Sequence, residues 1–233
     1  MAPAKMRIFS LGLMWIVPGP YHNTSRYVKE LTGFISEDPD APEIISSKLP
    51  SGLPWLFPHQ NGAASIQEEI DQVIGRNRSP SLEDRSRTPY TEAVIHEIQL
   101  FIDIAPTAAP HSVTKETHFR GYTIPKGTTV LTFLSSVLHD SQHFETPEKF
   151  NPGHFLDEKD AFLPFSTGKR VCLGEGLARM EIFLFLTAVL QNFHLKALQE
   201  REETDISPEV RGGSKFPQAY RLCLVPRSKC ATQ

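Results

Sequence analysis

The chain has 233 residues, of which 39% are hydrophobic and 22% charged, and its formal net charge is -3 at pH 7. This length is enough to bury a hydrophobic core, and Lys and Arg form no long run, which argues against a nucleic-acid-binding surface. The three cysteines, Cys172, Cys223 and Cys230, form no C-x-x-C pair, so neither a disulfide framework nor a zinc site is favoured. A single chemically used cysteine stays open.

The first 63 residues predict no sustained regular structure. An apolar run over residues 8–17 suits a signal-peptide core, or equally a short hydrophobic segment without a targeting role. It is too short for a membrane span, which needs about 20 residues. Residues 18–63 are rich in Pro, Gly, Ser and Asp without a period of 2 or 3.6, and such a segment cannot bury a continuous face. We therefore expect 1–63 to be an unassigned leader of loop or disorder, and 64–233 to be the folded domain.

Two amphipathic helices are predicted next. The first contains "SIQEEIDQVIG", with apolar residues at helical spacing and a stop at Gly75. The second begins at Thr88, which can cap it, with Pro89 in its first turn and Glu92 near its positive end. It should end before Pro106, because proline cannot continue a helix.

A small sheet and a buried helix are predicted for the rest of the chain. "HFRGYTIPKGTTVLTF" indicates short strands separated by turns at Gly121 and at residues 125–127. "GLARMEIFLFLTAVLQN", residues 176–192, is apolar on nearly every face after Glu181, which is typical of a helix inside a large protein. "FHLKAL" and "YRLCLVP" alternate apolar and polar residues and are predicted to pair as an antiparallel ribbon.

Cys172 lies in a glycine-rich loop directly before this apolar helix. Gly168 precedes it and Gly174 follows it, and glycines let a backbone approach a flat ligand closely. The amide groups at a helix start stabilise an anion, and Lys169 and Arg170 add positive charge nearby. The loop therefore suits a thiolate.

Taken alone, this loop leaves several interpretations open. A nucleophilic thiol needs a base, and no spacing in the sequence identifies a histidine in that role. Gly174-x-Gly176 matches a dinucleotide loop only weakly, because the third glycine and a preceding strand are missing. A zinc site lacks partner ligands, and a buried structural cysteine is the plain alternative.

The whole string F-x-x-G-x-R-x-C-x-G, formed by Phe165, Gly168, Arg170, Cys172 and Gly174, resembles the haem-binding loop of the cytochrome P-450 monooxygenases. The resemblance implies that Cys172 is the proximal thiolate and metal ligand of haem b, a ligation that favours O–O cleavage. It implies that Arg170 pairs with a haem propionate and that Phe165 shields the sulfur. Gly168 and Gly174 complete the implied cofactor-binding loop.

Other segments resemble the same family in the same order. "YTEAVIHEIQ" resembles its K helix, "PHSVTKET" the strand beside haem with His111 as a second propionate partner, and "PEKFNPGHF" the loop that braces the K helix. The match runs from about Ala64 to Pro226 and is closest to the microsomal, xenobiotic-metabolising family 2, subfamily C. The implied fold is mainly α with a small β component, the C-terminal part of the family's fold: K helix, small sheet, haem-thiolate loop and L helix.

Two departures from the family pattern bear on activity. The K helix of the family carries E-x-x-R, whereas here Leu100 follows Glu97 at that spacing. His154 lies where the bracing partner belongs, so we expect Glu97 and His154 to be structural partners. No segment before Ala64 resembles the long central helix that covers the distal haem face. If the chain is complete, an open distal side and little turnover are expected.

By family, the resemblance implies a monooxygenase that inserts one oxygen atom of O₂ into lipophilic organic substrates. NADPH would supply electrons indirectly, through NADPH-cytochrome reductase, at the cytoplasmic face of the endoplasmic reticulum membrane. Contact with the membrane surface is implied, although the sequence holds no convincing transmembrane anchor. Substrate-lining positions by resemblance are Ala105, Ala108, Ala109 and Ala219, with small loop residues that touch no ligand as the alternative. The alternative function is a non-catalytic fragment or interaction protein that retains the haem loop.

Overall fold

The computed structural model describes residues 43–46, 60–156, 161–197, 208–211, 214–217 and 221–227. The apolar run at residues 8–17, Ala219 and Cys230 lie outside these ranges. Within them the chain is mainly helical with small antiparallel sheets, which confirms the predicted fold class.

The helices and strands follow one another along the chain with short 3-10 turns between them. In order they are β1 (Glu43–Ser46), α1 (Gln60–Val73), a 3-10 helix (Leu82–Arg87), α2 (Pro89–Ile102), β2 (His111–Ser112), β3 (Thr117–Phe119), β4 (Tyr122–Ile124), β5 (Thr129–Val130), α3 (Ser135–Leu138), 3-10 helices at Pro152–Phe155 and Gly168–Arg170, α4 (Glu175–Asn192), β6 (Phe193–Ala197), β7 (Pro208–Arg211), β8 (Ser214–Pro217) and β9 (Arg221–Pro226).

The main core lies between α1, α2 and α4. Ile66 of α1, Ile95 of α2, and Phe183 and Leu190 of α4 are almost completely buried in one apolar cluster. The predicted buried helix is confirmed in α4, whose interior-facing side chains complete this cluster. Among the described helices, none combines the length and the apolar character needed to cross a bilayer.

Two glutamine side chains bond the backbone where α1 and α4 meet. Gln67 Nε2 of α1 donates to the carbonyl of Phe193 at 2.8 Å, and Gln191 Nε2 of α4 donates to the carbonyl of Gly75 at 2.6 Å. Phe193 directly follows α4 and Gly75 lies two residues beyond the end of α1, so neither carbonyl has an intrahelical partner. The glutamines therefore satisfy these groups and fix the two helices against each other.

The start of α2 differs from the prediction in its capping group. Thr88 occupies the N-cap position, but its hydroxyl donates to the carbonyl of Asp84 at 3.1 Å and makes no cap bond to α2. Glu69 of α1 accepts instead from the amides of Tyr90 at 2.9 Å and Thr91 at 2.8 Å. The N-cap position of Thr88 is therefore confirmed, but its predicted capping hydrogen bond is wrong, because a carboxylate is the stronger acceptor at the positive end of a helix.

Regular structure reaches into the segment that was expected to be loop. α1 begins at Gln60, ahead of the predicted boundary at Ala64, and β1 lies at Glu43–Ser46. β1 pairs with β9, with Ile44 opposite Cys223. Its strand partner is thus supplied from the other end of the chain, which a local pattern does not reveal.

The small sheets follow the predicted turns. β3 and β4 form a hairpin closed by Arg120 and Gly121, whose φ angles of 49° and 82° suit a two-residue hairpin turn. The predicted antiparallel ribbon is confirmed by β6 and β9, with Phe193 opposite Pro226. β9 lies between β1 and β6 and is the central strand of that sheet.

Asp84 anchors the 3-10 helix before α2 and supplies an acid-sensitive part of the stability. Arg78 donates to both of its carboxylate oxygens, at 2.5 and 2.7 Å, and Ser81 donates its amide at 2.9 Å. These hydrogen bonds, led by that of Arg78, lower the pKa of Asp84 to about 2 although burial opposes the shift.

Asp84→Asn is expected to lower the free energy of unfolding near neutral pH by about 2 kcal/mol, because the carboxylate loses its charge-assisted bonds. Since the pKa is lowered, this contribution is present above the ordinary aspartate value and is lost as the pH falls through about 2. Urea unfolding at several pH values measures it. A difference between the two proteins that stays constant down to the acid range would contradict the assignment.

Candidate functional site

The loop around Cys172 connects the 3-10 helix at Gly168–Arg170 to α4. The Cys172 amide donates to the carbonyl of Phe165 at 3.0 Å, and the Cys172 carbonyl accepts from the amide of Glu175 at 3.2 Å. The side chain of Cys172 is exposed and forms no disulfide. These two backbone bonds hold a free thiol at the surface just ahead of a helix start.

The two glycines predicted for this loop serve different purposes. Gly168 has a φ of 69°, in the left-handed region where a side chain is strained, so glycine is needed there. Gly174 is the N-cap of α4 with a φ of -87°, a conformation open to other residues. The loop geometry therefore depends on the first glycine more than on the second.

Arg170 and His111, the two residues expected to bind propionates, meet in the structure. Arg170 NH2 lies 3.3 Å from His111 Nδ1, although the two residues are 59 positions apart. His111 is held in β2, where it pairs with Val130 of β5. The structure thus brings a guanidinium and an imidazole together two residues from Cys172.

Phe165 contacts α4 through its ring. The guanidinium carbon of Arg179 lies 5.4 Å from the centroid of Phe165 and 5.6 Å from that of Phe162, within the range of cation–π contacts. Arg179 also donates to Glu175 one turn earlier, at 3.0 Å. Arg179 was not predicted from the sequence, in which the only local signal is its i, i+4 spacing from Glu175.

Large apolar side chains are exposed around this loop. Leu173 is fully exposed, and Val171 and Leu177 on either side of it are also exposed. Leu131 and Phe133, which follow β5, are exposed as well. Val171 follows Arg170 in sequence, and Leu131 follows Val130, the residue of β5 that pairs with His111. Exposed apolar side chains are therefore adjacent in sequence to both sides of the Arg170–His111 contact.

Glu97 of α2 and His154 form a buried pair. Glu97 Oε2 lies 2.9 Å from His154 Nδ1, and Glu97 Oε1 accepts from the amide of Asn151 at 2.8 Å. His154 Nε2 bonds the carbonyl of Glu145. Both oxygens of Glu97 are therefore bonded, yet burial still raises the pKa of Glu97 above its ordinary value. The pair joins α2 to the loop at Pro152–Phe155.

Leu100, which stands at the E-x-x-R arginine position, faces an apolar cluster. It is 1% exposed and packs with Leu138 and Phe144, beside Phe155 and other partly buried apolar groups. The side chain is thus accommodated as a core residue, and within the described residues His154 is the basic side chain that contacts Glu97.

Three of the four residues expected to line a substrate pocket lie in one described segment. Ala105 and Ala108 are half-buried and Ala109 is exposed, all in the segment between α2 and β2. The Ala108 amide donates to the carbonyl of Thr132 at 3.0 Å, so this segment lies along the residues that follow β5. Ala219 lies outside the described residues.

Comparison with known proteins identifies the family. The model of the family described as Cytochrome P450 matches residues 42–224. The chain belongs to the cytochrome P450 family. It is 55% identical over 190 residues to Cytochrome P450 2C26 of Mesocricetus auratus, an alignment covering 79% of this chain and 39% of that protein. It is similarly 55% identical to Cytochrome P450 2C5 of Oryctolagus cuniculus, with the same coverage.

A third relative, Cytochrome P450 2C15 of Oryctolagus cuniculus, is 54% identical over 190 residues, which cover 79% of this chain and 50% of that protein. The P450 chain thus spans about two fifths to one half of the length of these relatives. The family match also begins at residue 42, earlier than the expected start near Ala64, which agrees with the position of β1.

Members of this family bind haem b through a cysteine thiolate. The residues present fit that group: a free exposed thiol, a guanidinium with an imidazole 3.3 Å away, and exposed apolar side chains on the same loop. Haem b has an iron centre for a thiolate, carboxylates for a cation and a flat apolar ring. Each chemical feature therefore has a matching group in the P450 chain.

Proposed function

We propose that Cys172 is the thiolate ligand of haem b and that the protein is a haem-thiolate monooxygenase of lipophilic organic compounds. The observation that carries this proposal is the 3.3 Å contact between Arg170, two residues before the free Cys172, and His111 of a separate element. A structural cysteine in a glycine-rich loop would need neither of them.

The residues of the loop have distinct tasks in this proposal. The hydrogen bond from the Cys172 amide to the Phe165 carbonyl and the left-handed turn at Gly168 hold the thiol outward. The amide groups at the start of α4 favour the anionic form of that thiol. Arg170, with His111, would hold the propionates and so fix the ligand's orientation. When bound, haem supplies the activation of O₂, a chemistry that thiolate ligation favours.

The source of electrons, the substrates and the location follow from family resemblance and are part of the same proposal. Electrons come from NADPH through NADPH-cytochrome reductase, and exposed Lys169 adds positive charge to the surface beside Cys172. Ala105, Ala108, Ala109 and Ala219 line the side that receives a lipophilic substrate. The protein works at the cytoplasmic face of the endoplasmic reticulum membrane.

Two measurements on the purified chain test this function. Loaded with haem, reduced and exposed to carbon monoxide, it should show the red-shifted Soret band of thiolate ligation. With NADPH and the reductase, it should then oxidise a lipophilic probe. A thiolate band without NADPH-dependent product would identify a non-catalytic haem protein, and absence of the band would refute the ligand assignment.

A further inference from the structure

His96, a partly buried residue of α2, shares one ring nitrogen between two charged groups. Its Nε2 lies 2.7 Å from Arg179 NH1 and 3.1 Å from Glu92 Oε1. A neutral imidazole nitrogen accepts through its lone pair, whereas a protonated one donates. The nitrogen cannot accept from Arg179 and donate to Glu92 at the same time, so the presence or absence of a proton on Nε2 decides which contact is made.

The two competing groups keep their charges across the physiological range. Burial raises the pKa of Glu92, but hydrogen bonds from Arg85 and from protonated His96, with their charges, outweigh it and lower the pKa to about 2. When His96 is neutral, Arg85 Nε still donates to Glu92 at 2.8 Å. Arginine stays protonated in proteins. Glu92 is therefore a constant anion and Arg179 a constant cation, while histidine side chains change charge between about pH 5 and 8.

Among the described residues, charged groups from two helices and two aromatic rings face His96. Glu92, on the same helix, faces His96. Glu92 in turn accepts a hydrogen bond at 2.8 Å from Nε of Arg85, in the preceding 3-10 helix. From α4 Arg179 faces His96, bonded in turn to Glu175. Among the described residues, the other neighbours of His96 are the rings of Phe155 and Phe162, with centroid distances of 5.3 Å and 4.9 Å.

Arg179 connects His96 to the loop around Cys172. Its guanidinium lies over the ring of Phe165 at 5.4 Å, and the carbonyl of Phe165 accepts the hydrogen bond from the Cys172 amide at 3.0 Å. A chain of direct contacts thus runs from α2 to the backbone of Cys172: His96 to Arg179, Arg179 to the ring of Phe165, and the Phe165 carbonyl to the Cys172 amide.

We propose that neutral His96 is a positioning residue for the Cys172 loop: it accepts a hydrogen bond from Arg179 and holds the guanidinium against Phe165. When His96 is protonated, its Nε2–H donates to Glu92, and the imidazolium repels the guanidinium. Phe165 then loses this contact and the Cys172 loop loosens. The consequence for haem rests on the proposed function, but the positioning itself is testable without haem.

The first test is an NMR titration of the 233-residue chain without haem, between about pH 5 and 8. Above the midpoint, His96 should carry its proton on Nδ1, and the ring signals of Phe165 and the amide of Cys172 should shift with the His96 midpoint. In His96→Gln, whose amide oxygen accepts from Arg179 at every pH, these shifts should be lost. His118→Gln, at an exposed histidine of the β3–β4 hairpin, should leave them unchanged.

A neutral His96 protonated on Nε2 would overturn the proposal, as would Phe165 shifts that persist unchanged in His96→Gln. The second test uses haem-loaded protein: acidification should reduce the thiolate Soret band of the parent chain at the His96 midpoint, and His96→Gln should lose that step. An identical step in both proteins overturns the positioning role and leaves the proposed function intact. Absence of the band at every pH refutes the proposed function, and the NMR titration then decides the role of His96 alone.

Discussion

Cys172→Ala is expected to abolish the red-shifted Soret band of the reduced, carbon monoxide-treated protein. The alanine has no donor atom for iron, and within the described residues the neighbouring Val171 and Leu173 offer only apolar side chains. The expected change is complete loss of the thiolate signature, together with loss of NADPH-dependent oxidation of the probe. Absorbance spectroscopy on equal amounts of the two proteins measures it.

Misfolding is excluded as the cause by two comparisons. Because Cys172 is exposed, its replacement should change the free energy of unfolding by no more than about 0.5 kcal/mol. Cys230→Ala removes a second thiol outside the described residues and should retain the band. Persistence of the band in Cys172→Ala, or its loss in Cys230→Ala, would contradict Cys172 as the ligand and indicate another cysteine.

His154→Ala is expected to destabilise the domain by about 3–5 kcal/mol, because it leaves the carboxylate of Glu97 buried without its basic partner. Asn151 alone would still donate to that carboxylate. A loss of this size is a large share of a typical unfolding free energy of about 5–15 kcal/mol. Urea unfolding followed by circular dichroism gives the difference, provided that the m-value is unchanged.

The pH dependence separates this charge effect from simple loss of packing. Burial raises the pKa of Glu97, so ionisation of this carboxyl opposes folding. Its contribution to the free energy of unfolding is greatest below the ordinary pKa of glutamate. That contribution declines as the pH rises through the pKa of Glu97 in the folded protein. The cost of His154→Ala should therefore shrink on acidification, as Glu97 becomes neutral. A cost that does not change with pH would mean that the variant loses packing only.

A control on a neighbouring residue completes this experiment. His143 is exposed in the loop before the Pro152–Phe155 turn, and His143→Ala should change the unfolding free energy by no more than about 0.5 kcal/mol at any of these pH values. A comparable loss in both variants would indicate a general sensitivity of the loop.

The sequence predicted those parts of the fold that depend on local patterns. The β3–β4 hairpin was visible in the turn at Gly121, and α4 in a run of apolar residues ending at Asn192. Contacts between distant segments were not visible. Glu69 caps α2 from another helix, and no spacing marks it as the acceptor in place of Thr88.

The site divides in the same way. A dense motif placed Cys172 and Arg170 in one loop, and family resemblance linked His111 to them across 59 positions. The contact between His96 and Arg179 spans 83 positions and belongs to no motif. It depends on how α2 packs against the start of α4, which only the folded chain defines. The roles of Cys172, Arg170 and His111 toward haem stay predictions until the spectra are measured.

The central place of β9 has a consequence for biosynthesis. β1 and β6 both pair with β9, which is synthesised after them. During synthesis their backbone donors and acceptors therefore stay unpaired until β9 emerges. Chains that lack residues 221–226 should therefore recruit chaperones or aggregate, whereas chains that contain β9 can pair one of its edges with β1 and the other with β6.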